Sequence, residues 1–230
     1  MNTAIIVAAG SGQRFASTTP KQFTTLLGKP LIVHTLEKFE SCGLIDEIVL
    51  VLSADGRELF ETSGYASEIT KLKSVVTGGA TRAESVRNGL NSLDAGDGDV
   101  VAVHDGARPL VTVDEIARTV DKAVETGAAC LVAPVTDTIK TIRGDEIAGT
   151  LERDKLRRAL TPQAFRYEVL RRAFELGDFS ETVTDECYLV EKLGHPIAIV
   201  EGGAQNIKVT RPEDLVFAEA ILSVARGHRS

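Results

Sequence analysis

The sequence has no tryptophan, and 8 Phe and 3 Tyr are its only other aromatic rings in 230 residues. Rings this sparse do not build a stacking platform for single-stranded nucleic acid. A basic excess is also missing: 26 Lys and Arg stand against 33 Asp and Glu, a formal net charge of −7. That balance excludes a polyanion-coating role, which needs many phosphates neutralised, while leaving room for a local basic pocket. No nucleic-acid partner is expected. Cysteine is scarce: Cys42, Cys130 and Cys187 are odd in number, widely spaced and outside any Cys-x-x-Cys pair. A disulfide framework and a structural zinc site are both excluded on that spacing. Long apolar runs are absent too. The run from Ala4 to Ala9 is too short for a membrane span or a signal core, and no basic segment precedes it. No membrane partner is expected. A cytoplasmic protein is, or a plastid stromal one in a eukaryote, although the chain opens without a transit-type segment.

What is present suits a globular domain. Apolar residues make up 43% and charged residues 26%, enough to bury a core and too apolar for disorder. Six β-branched-rich runs, at 3–10, 46–53, 73–79, 99–106, 129–135 and 196–203, read as strands buried on both faces. Amphipathic stretches lie between them. Thr81–Glu84, Thr112–Glu115 and Thr210–Glu213 fit the Ser/Thr-x-x-Glu capping box. Gly43, Gly127, Gly194 and Gly227 fit helix stops, and Thr161-Pro162 places proline at a first helical position. Strand and helix alternating in this way predict an α/β fold: a doubly wound, mostly parallel, Rossmann-like sheet with helices on both faces. Residues 137–153 break the rhythm with two short polar runs around Arg143-Gly144-Asp145, which read as a β-hairpin. The expected organisation is one domain over 1–230 with a protruding β-arm at 136–153.

The first predicted strand ends in Ala8-Ala9-Gly10-Ser11-Gly12-Gln13-Arg14, followed by Thr19-Pro20-Lys21-Gln22. Small residues let backbone N–H groups approach an anion, and Arg14 and Lys21 add two cations. This is a phosphate cradle, but not a Walker loop, because Gly-x-x-x-x-Gly-Lys-Ser/Thr is missing. Nor is it a dinucleotide fingerprint, because Phe15 stands at the third glycine position. Further along come Val103-His104-Asp105-Gly106-Ala107-Arg108-Pro109, Leu160-Thr161-Pro162-Gln163, Val183-Thr184-Asp185-Glu186 and Asn206-Ile207-Lys208-Val209-Thr210-Arg211-Pro212-Glu213-Asp214-Leu215. The set, in this order and from residue 3 to about 220, resembles the 2-C-methyl-D-erythritol 4-phosphate cytidylyltransferase family of nucleotidyltransferases.

The resemblance implies transfer of CMP from CTP to a polyol phosphate, with release of pyrophosphate. The attacking phosphate monoester ionises with a second pKa of about 6, so the reaction needs positioning and cations more than a base. By resemblance, Arg14, Lys21, Arg153 and Lys208 are the catalytic cations. Ala8, Ala9, Gly10, Ser11, Gly12, Gly78, Gly79 and Ser85 bind the nucleotide, and Asp105, Ala107, Arg108, Thr138 and Thr184 bind the acceptor. Taken alone, Thr184 also reads as a helix N-cap, Ser85 as an early-helix serine, Lys208 as a solvated lysine and Asp105–Arg108 as a local ion pair. The chain departs from the pattern at Ala80, where some family members carry an acidic residue. The resemblance also implies Mg²⁺, held mainly by the CTP phosphates and near Asp105, and a homodimer whose arms exchange Thr138 and Arg153. His34, His104, His195 and His228 lack metal spacing, and His104 is read as orienting the loop beside it. The rival readings are a D-ribitol 5-phosphate cytidylyltransferase and a non-catalytic nucleotide-binding homologue.

Overall fold

The computed structural model describes residues 1–10, 20–176 and 183–227. Its centre is a seven-stranded sheet. In chain order the strands are β1 (Asn2–Ala8), β4 (Glu47–Leu52), β5 (Leu72–Thr77), β6 (Val100–Asp105), β7 (Ala128–Pro134), β10 (Arg157–Arg166) and β11 (Ala198–Glu201). Across the sheet they run β11-β7-β10-β6-β1-β4-β5. Only β10 is antiparallel to its neighbours, pairing β6 and β7. The minor pairs are β2 (Thr25–Leu26) with β3 (Lys29–Pro30), and β8 (Lys140–Arg143) with β9 (Glu146–Thr150).

Alternation along the strands sorts side chains into two layers. From β1, Ala4, Ile6 and Ala8 enter a core with Val33, Leu36 and Phe39 of α1 (Leu31–Glu40), Phe60 of α2 (Ala54–Thr62) and Ile116 and Val120 of α4 (Val113–Thr126). Ile5 points the other way. It belongs to a second core with Val86 and Leu90 of α3 (Arg82–Asn91), Leu170 of α5 (Tyr167–Glu175) and Leu189 of α6 (Glu186–Lys192). Phe39, Phe60 and Phe165 are fully buried, each stabilising the fold by about 1.5–3 kcal/mol relative to exposure. A third cluster seats Ala218 of α7 (Pro212–Gly227) against Leu26, Leu31, Ala107 and Val209.

All six expected strands are present, and helices cover both faces of the sheet. Burial on both faces holds for β1, β4, β6 and β7 but not for β5 and β11. Those two are the edges of the sheet, where side chains meet solvent. The hairpin forms as β8 and β9, turning at Gly144 with a left-handed φ of 58°.

Four local expectations need correction. Thr161-Pro162 does not start a helix: it is a cis peptide bond inside β10, where the register with β7 shifts between Ala159 and Gln163. Proline is tolerated there because it sits at an irregularity that needs no donor from it. The first two capping boxes form as expected. In the third, α7 begins at Pro212, and Asp214, not Glu213, reaches back to accept from the Thr210 and Arg211 N–H groups. Gly127 and Gly194 end helices in the left-handed region, but α1 stops earlier at Ser41 and leaves Gly43 in a turn; Gly227 is the last described residue of α7. Thr184 is not a cap either. Asp185 takes that place, its side chain accepting from the Tyr188 N–H.

Candidate active site

β1 lies between β4 and β6, so the chain leaves it in opposite directions on its two sides. A crevice opens at such a switch point, beyond the carboxyl ends of the strands. Here it is a cavity of about 490 Å³. Its walls include Ala8, Ala9 and Gly10 after β1, Lys21 and Gln22, Gly79 to Arg82 and Ser85, Asp105 and Ala107, and Lys208 and Thr210.

One wall is built for close approach. Ser85 is buried in the first turn of α3; its hydroxyl accepts from the Gly79 N–H at 3.1 Å and donates to the Thr81 carbonyl at 2.9 Å. That arrangement folds the end of β5 onto the helix start and leaves one lone pair on the hydroxyl. Gly78 stands behind it. A Cβ at Gly78 would lie 2.4 Å from Ala9 Cβ and 2.8 Å from Ser85 Oγ, so glycine is what lets these segments meet. The Ala80 N–H is already held by Glu84 at 2.7 Å.

The other wall is charged. Asp105 ends β6, and three cations converge on it: Arg82 Nε at 3.0 Å, Lys208 Nζ at 3.0 Å and Arg108 Nε at 3.3 Å. Burial pushes the Asp105 carboxyl up, but Arg82, Lys208 and Arg108 outweigh it and hold the group well below the usual carboxylate range. Arg108 also donates to the Asn206 carbonyl at 2.9 Å, and the Val209 N–H donates to the Ala107 carbonyl at 2.8 Å. These two bonds seat the segment that carries Lys208. Behind Asp105, His104 is fully buried, and burial lowers its pKa to about 3, so the ring is neutral. The Thr161 hydroxyl accepts from the Asp105 N–H and is 3.0 Å from His104 Nδ1, so it donates there. Nε2–H of His104 then donates to the Arg108 carbonyl at 3.2 Å. His104 thus orients the Asp105–Arg108 loop.

Of the expected site residues, Ala8, Ala9, Gly10, Lys21, Gly79, Ser85, Asp105, Ala107 and Lys208 line this one cavity. Gly78 and Arg108 stand directly behind its walls. Ser11, Gly12 and Arg14 lie outside the described residues. Thr184 is exposed just ahead of α6. Thr138 and Arg153 are exposed on the arm and do not reach the cavity of their own chain; Arg153 lies 3.9 Å from Asp154 and 3.4 Å from the Thr136 carbonyl. The local ion-pair reading of Asp105–Arg108 is too small, because Arg82 and Lys208 share the same carboxylate.

Arg82, Thr81, Gln22 and Thr210 also line the cavity and were not among the site residues expected from the sequence, where Thr81 and Thr210 were read only as helix caps. Buried Glu186 binds Arg82 through both its oxygens, at 2.6 and 3.1 Å. A signal for Arg82 existed: an arginine at the first position of a helix opposes the helix dipole and calls for another reason to be there.

Together the walls define an α/β enzyme that brings a phosphate-bearing nucleotide against a second anionic substrate. The comparisons with known proteins agree. The family model for IspD, 2-C-methyl-D-erythritol 4-phosphate cytidylyltransferase, matches residues 2–224. Cytidylyltransferases of that name from Geobacter metallireducens and Bacillus velezensis are 41% and 43% identical to this chain. The alignments cover 95% and 98% of it, and 96% and 97% of those proteins. The crystal structure of 4-diphosphocytidyl-2C-methyl-D-erythritol synthase from Anaerococcus prevotii superimposes with a TM-score of 0.84 at 30% identity, covering 96% of both chains. The chain belongs to the 2-C-methyl-D-erythritol 4-phosphate cytidylyltransferase family.

Proposed function

We propose that the chain transfers CMP from CTP to 2-C-methyl-D-erythritol 4-phosphate, giving 4-diphosphocytidyl-2-C-methyl-D-erythritol and pyrophosphate. The observation that carries this reading is the pairing of two walls in one cavity: a small-residue nucleotide wall, and a cation cluster gathered on Asp105. Cytosine lies against Gly78, Gly79 and Ser85, and the triphosphate runs along Ala8–Gly10 toward Lys21; Ser11, Gly12 and Arg14 are assigned to it from the sequence motif alone. The acceptor phosphate is held by Lys208 and reached by the Thr184 hydroxyl, with Asp105 and Arg108 near the polyol. An acceptor phosphate oxygen attacks the α-phosphorus; the new P–O bond forms as the bond to the β-phosphate breaks. No base is needed, in keeping with an already ionised acceptor, and no histidine lines the cavity among the described residues.

A divalent cation such as Mg²⁺ accompanies the triphosphate and neutralises charge on the pyrophosphate leaving group. Among the described residues no three His, Cys, Asp or Glu side chains converge, and Asp105 is the carboxylate that lines the cavity. That donor set fits an ion held mainly by phosphates and waters. Asp105, its oxygens already shared by three cations, has room for one bond to it.

The arm supports a homodimer as part of the same reading. Ile142 and Ile147 are 74% and 68% exposed on it, an apolar surface that costs free energy unless covered. Paired arms bring the partner's copies of this segment to each cavity and complete it with Thr138 and Arg153. We place the reaction in the cytoplasm, where three free, buried thiols stay reduced. No described helix is long and apolar enough to cross a membrane.

The test is pyrophosphate release with CTP and Mg²⁺, comparing methylerythritol 4-phosphate with ribitol 5-phosphate. Release with methylerythritol phosphate alone is expected. Release with ribitol phosphate alone would move the acceptor assignment, and silence with both from a CTP-binding sample would overturn the activity. Light scattering at micromolar concentration tests the dimer, which a monomer would refute.

A further inference from the structure

Arg82 opens α3, where a cation gains nothing from the helix dipole. Its guanidinium is spent on two buried carboxylates. Nε–H donates to Asp105 at 3.0 Å, and Nη1 and Nη2 donate to the two oxygens of Glu186 at 2.6 and 3.1 Å. The carboxylates come from distant parts of the chain: Asp105 ends β6, and Glu186 starts α6. Glu186 is itself anchored. Gln163, buried on β10, accepts from the Glu186 and Cys187 N–H groups and donates to Asp185 at 3.0 Å. The start of α6 is therefore docked on the sheet, and Glu186 presents its charge from a fixed backbone.

Arg82 is at once part of the nucleotide wall, one turn from Ser85, and a ligand of the carboxylate that gathers Arg108 and Lys208. A planar fork with donors on two edges meets this demand. A lysine, a single charge on a flexible stem, does not. We infer that Arg82 is a positioning residue: with Glu186 as its buried counter-ion it clamps Asp105 and sets the register between the nucleotide wall and the acceptor cations. The inference rests on the cytidylyl-transfer reading above. It concerns alignment more than affinity, because Lys21 and Lys208 remain to hold the phosphates when the clamp is broken.

The experiment compares Arg82→Lys, Glu186→Gln and the double variant with wild type in steady-state pyrophosphate release, normalised to the folded fraction from thermal melts. A misplacement of the order of 1 Å costs about 100-fold in rate, so each single variant is expected to lose about 100-fold in kcat. KM for either substrate stays within about threefold of wild type, because Lys21 and Lys208, which hold the phosphates, are untouched. Both changes break one clamp, so the double variant is expected to be no worse than the poorer single. Unchanged kcat per folded molecule, a loss confined to KM, or losses that multiply in the double variant would each overturn the inference. Should Arg82→Lys fail to fold, Glu186→Asp, which keeps the charge but shortens its reach, carries the test with the same expected split. The wild-type rate, measured in parallel with an intact clamp, tests the transfer reading separately.

Discussion

Asp105→Asn removes one negative charge from the point where three cations meet, with almost no change in shape. Around that point Asp105 and Glu186 face Arg82, Arg108 and Lys208, two negative groups against three positive. The variant leaves one against three. Lys208 has a side chain 39% exposed and can swing into water, but Arg82 and Arg108, at 23% and 12%, cannot. Removing one partner of a buried ion pair costs about 3–5 kcal/mol. With one cation free to leave, and one amide oxygen still accepting, the lower end applies, about 3 kcal/mol. For a chain of this length that is a fall in melting temperature of about 6–12 °C. The assay is a thermal melt in chloride and then in sulfate at matched ionic strength. Sulfate stabilises folded proteins in general, but the uncovered cations give the variant an added site, so its recovery should exceed that of wild type. The pH dependence has a definite sign. The folded Asp105 carboxyl lies below its ordinary value of 3.8, so its contribution is fully present above about pH 4 and is lost as pH falls toward the folded value. The gap between wild type and variant should hold constant from about pH 8 to 5 and close only in acid. A variant melting within about 2 °C of wild type, or a gap that shrinks between pH 8 and 5, would refute the account of Asp105 as the hub.

Other consequences are open to test. Gly78→Ala forces a Cβ to 2.4 Å from Ala9 Cβ; the overpacking of about 1–3 kcal/mol falls on the nucleotide wall, so CTP affinity by calorimetry should drop about tenfold or more. His104 stays neutral in the fold down to about pH 3, while the unfolded ring takes up a proton below its ordinary 6.5. Stability to urea should therefore fall below pH 6.5 by up to about 1.4 kcal/mol per pH unit from this group, and His104→Asn should flatten that slope between pH 7 and 5. Cys42, Cys130 and Cys187 are free and buried, so Ellman's reagent should find three thiols only after unfolding; rapid reaction with the native protein would contradict their packing.

Much of this molecule is legible in short windows of sequence. β-Branched runs such as Ala4–Ala8 and Val100–Val103 announce strands because buried strands must be apolar on both faces. Thr81 with Glu84, and Thr112 with Glu115, announce helix starts because the bonds they make close within four residues. The small residues and lysine after β1 were legible as a phosphate cradle at a strand end, whereas the Asp105–Arg108 pair was open to a purely local reading and Lys208 was marked only by the family resemblance.

Tertiary structure decided what depends on partners far along the chain. β10 carries Arg157, Arg158, Pro162 and Gln163 and reads poorly as a strand; it becomes one because β6 and β7 satisfy its backbone from both sides. Whether an arginine is a solvated surface charge or the centre of a buried clamp is not written beside it. Arg82 and Glu186 are 104 residues apart, and only the folded sheet makes them neighbours. Local patterns encode hydrogen bonds that close within a turn and burial that repeats with the pleat. Charge partnership is set by geometry between elements, and so the chemistry of this cavity was settled by the fold.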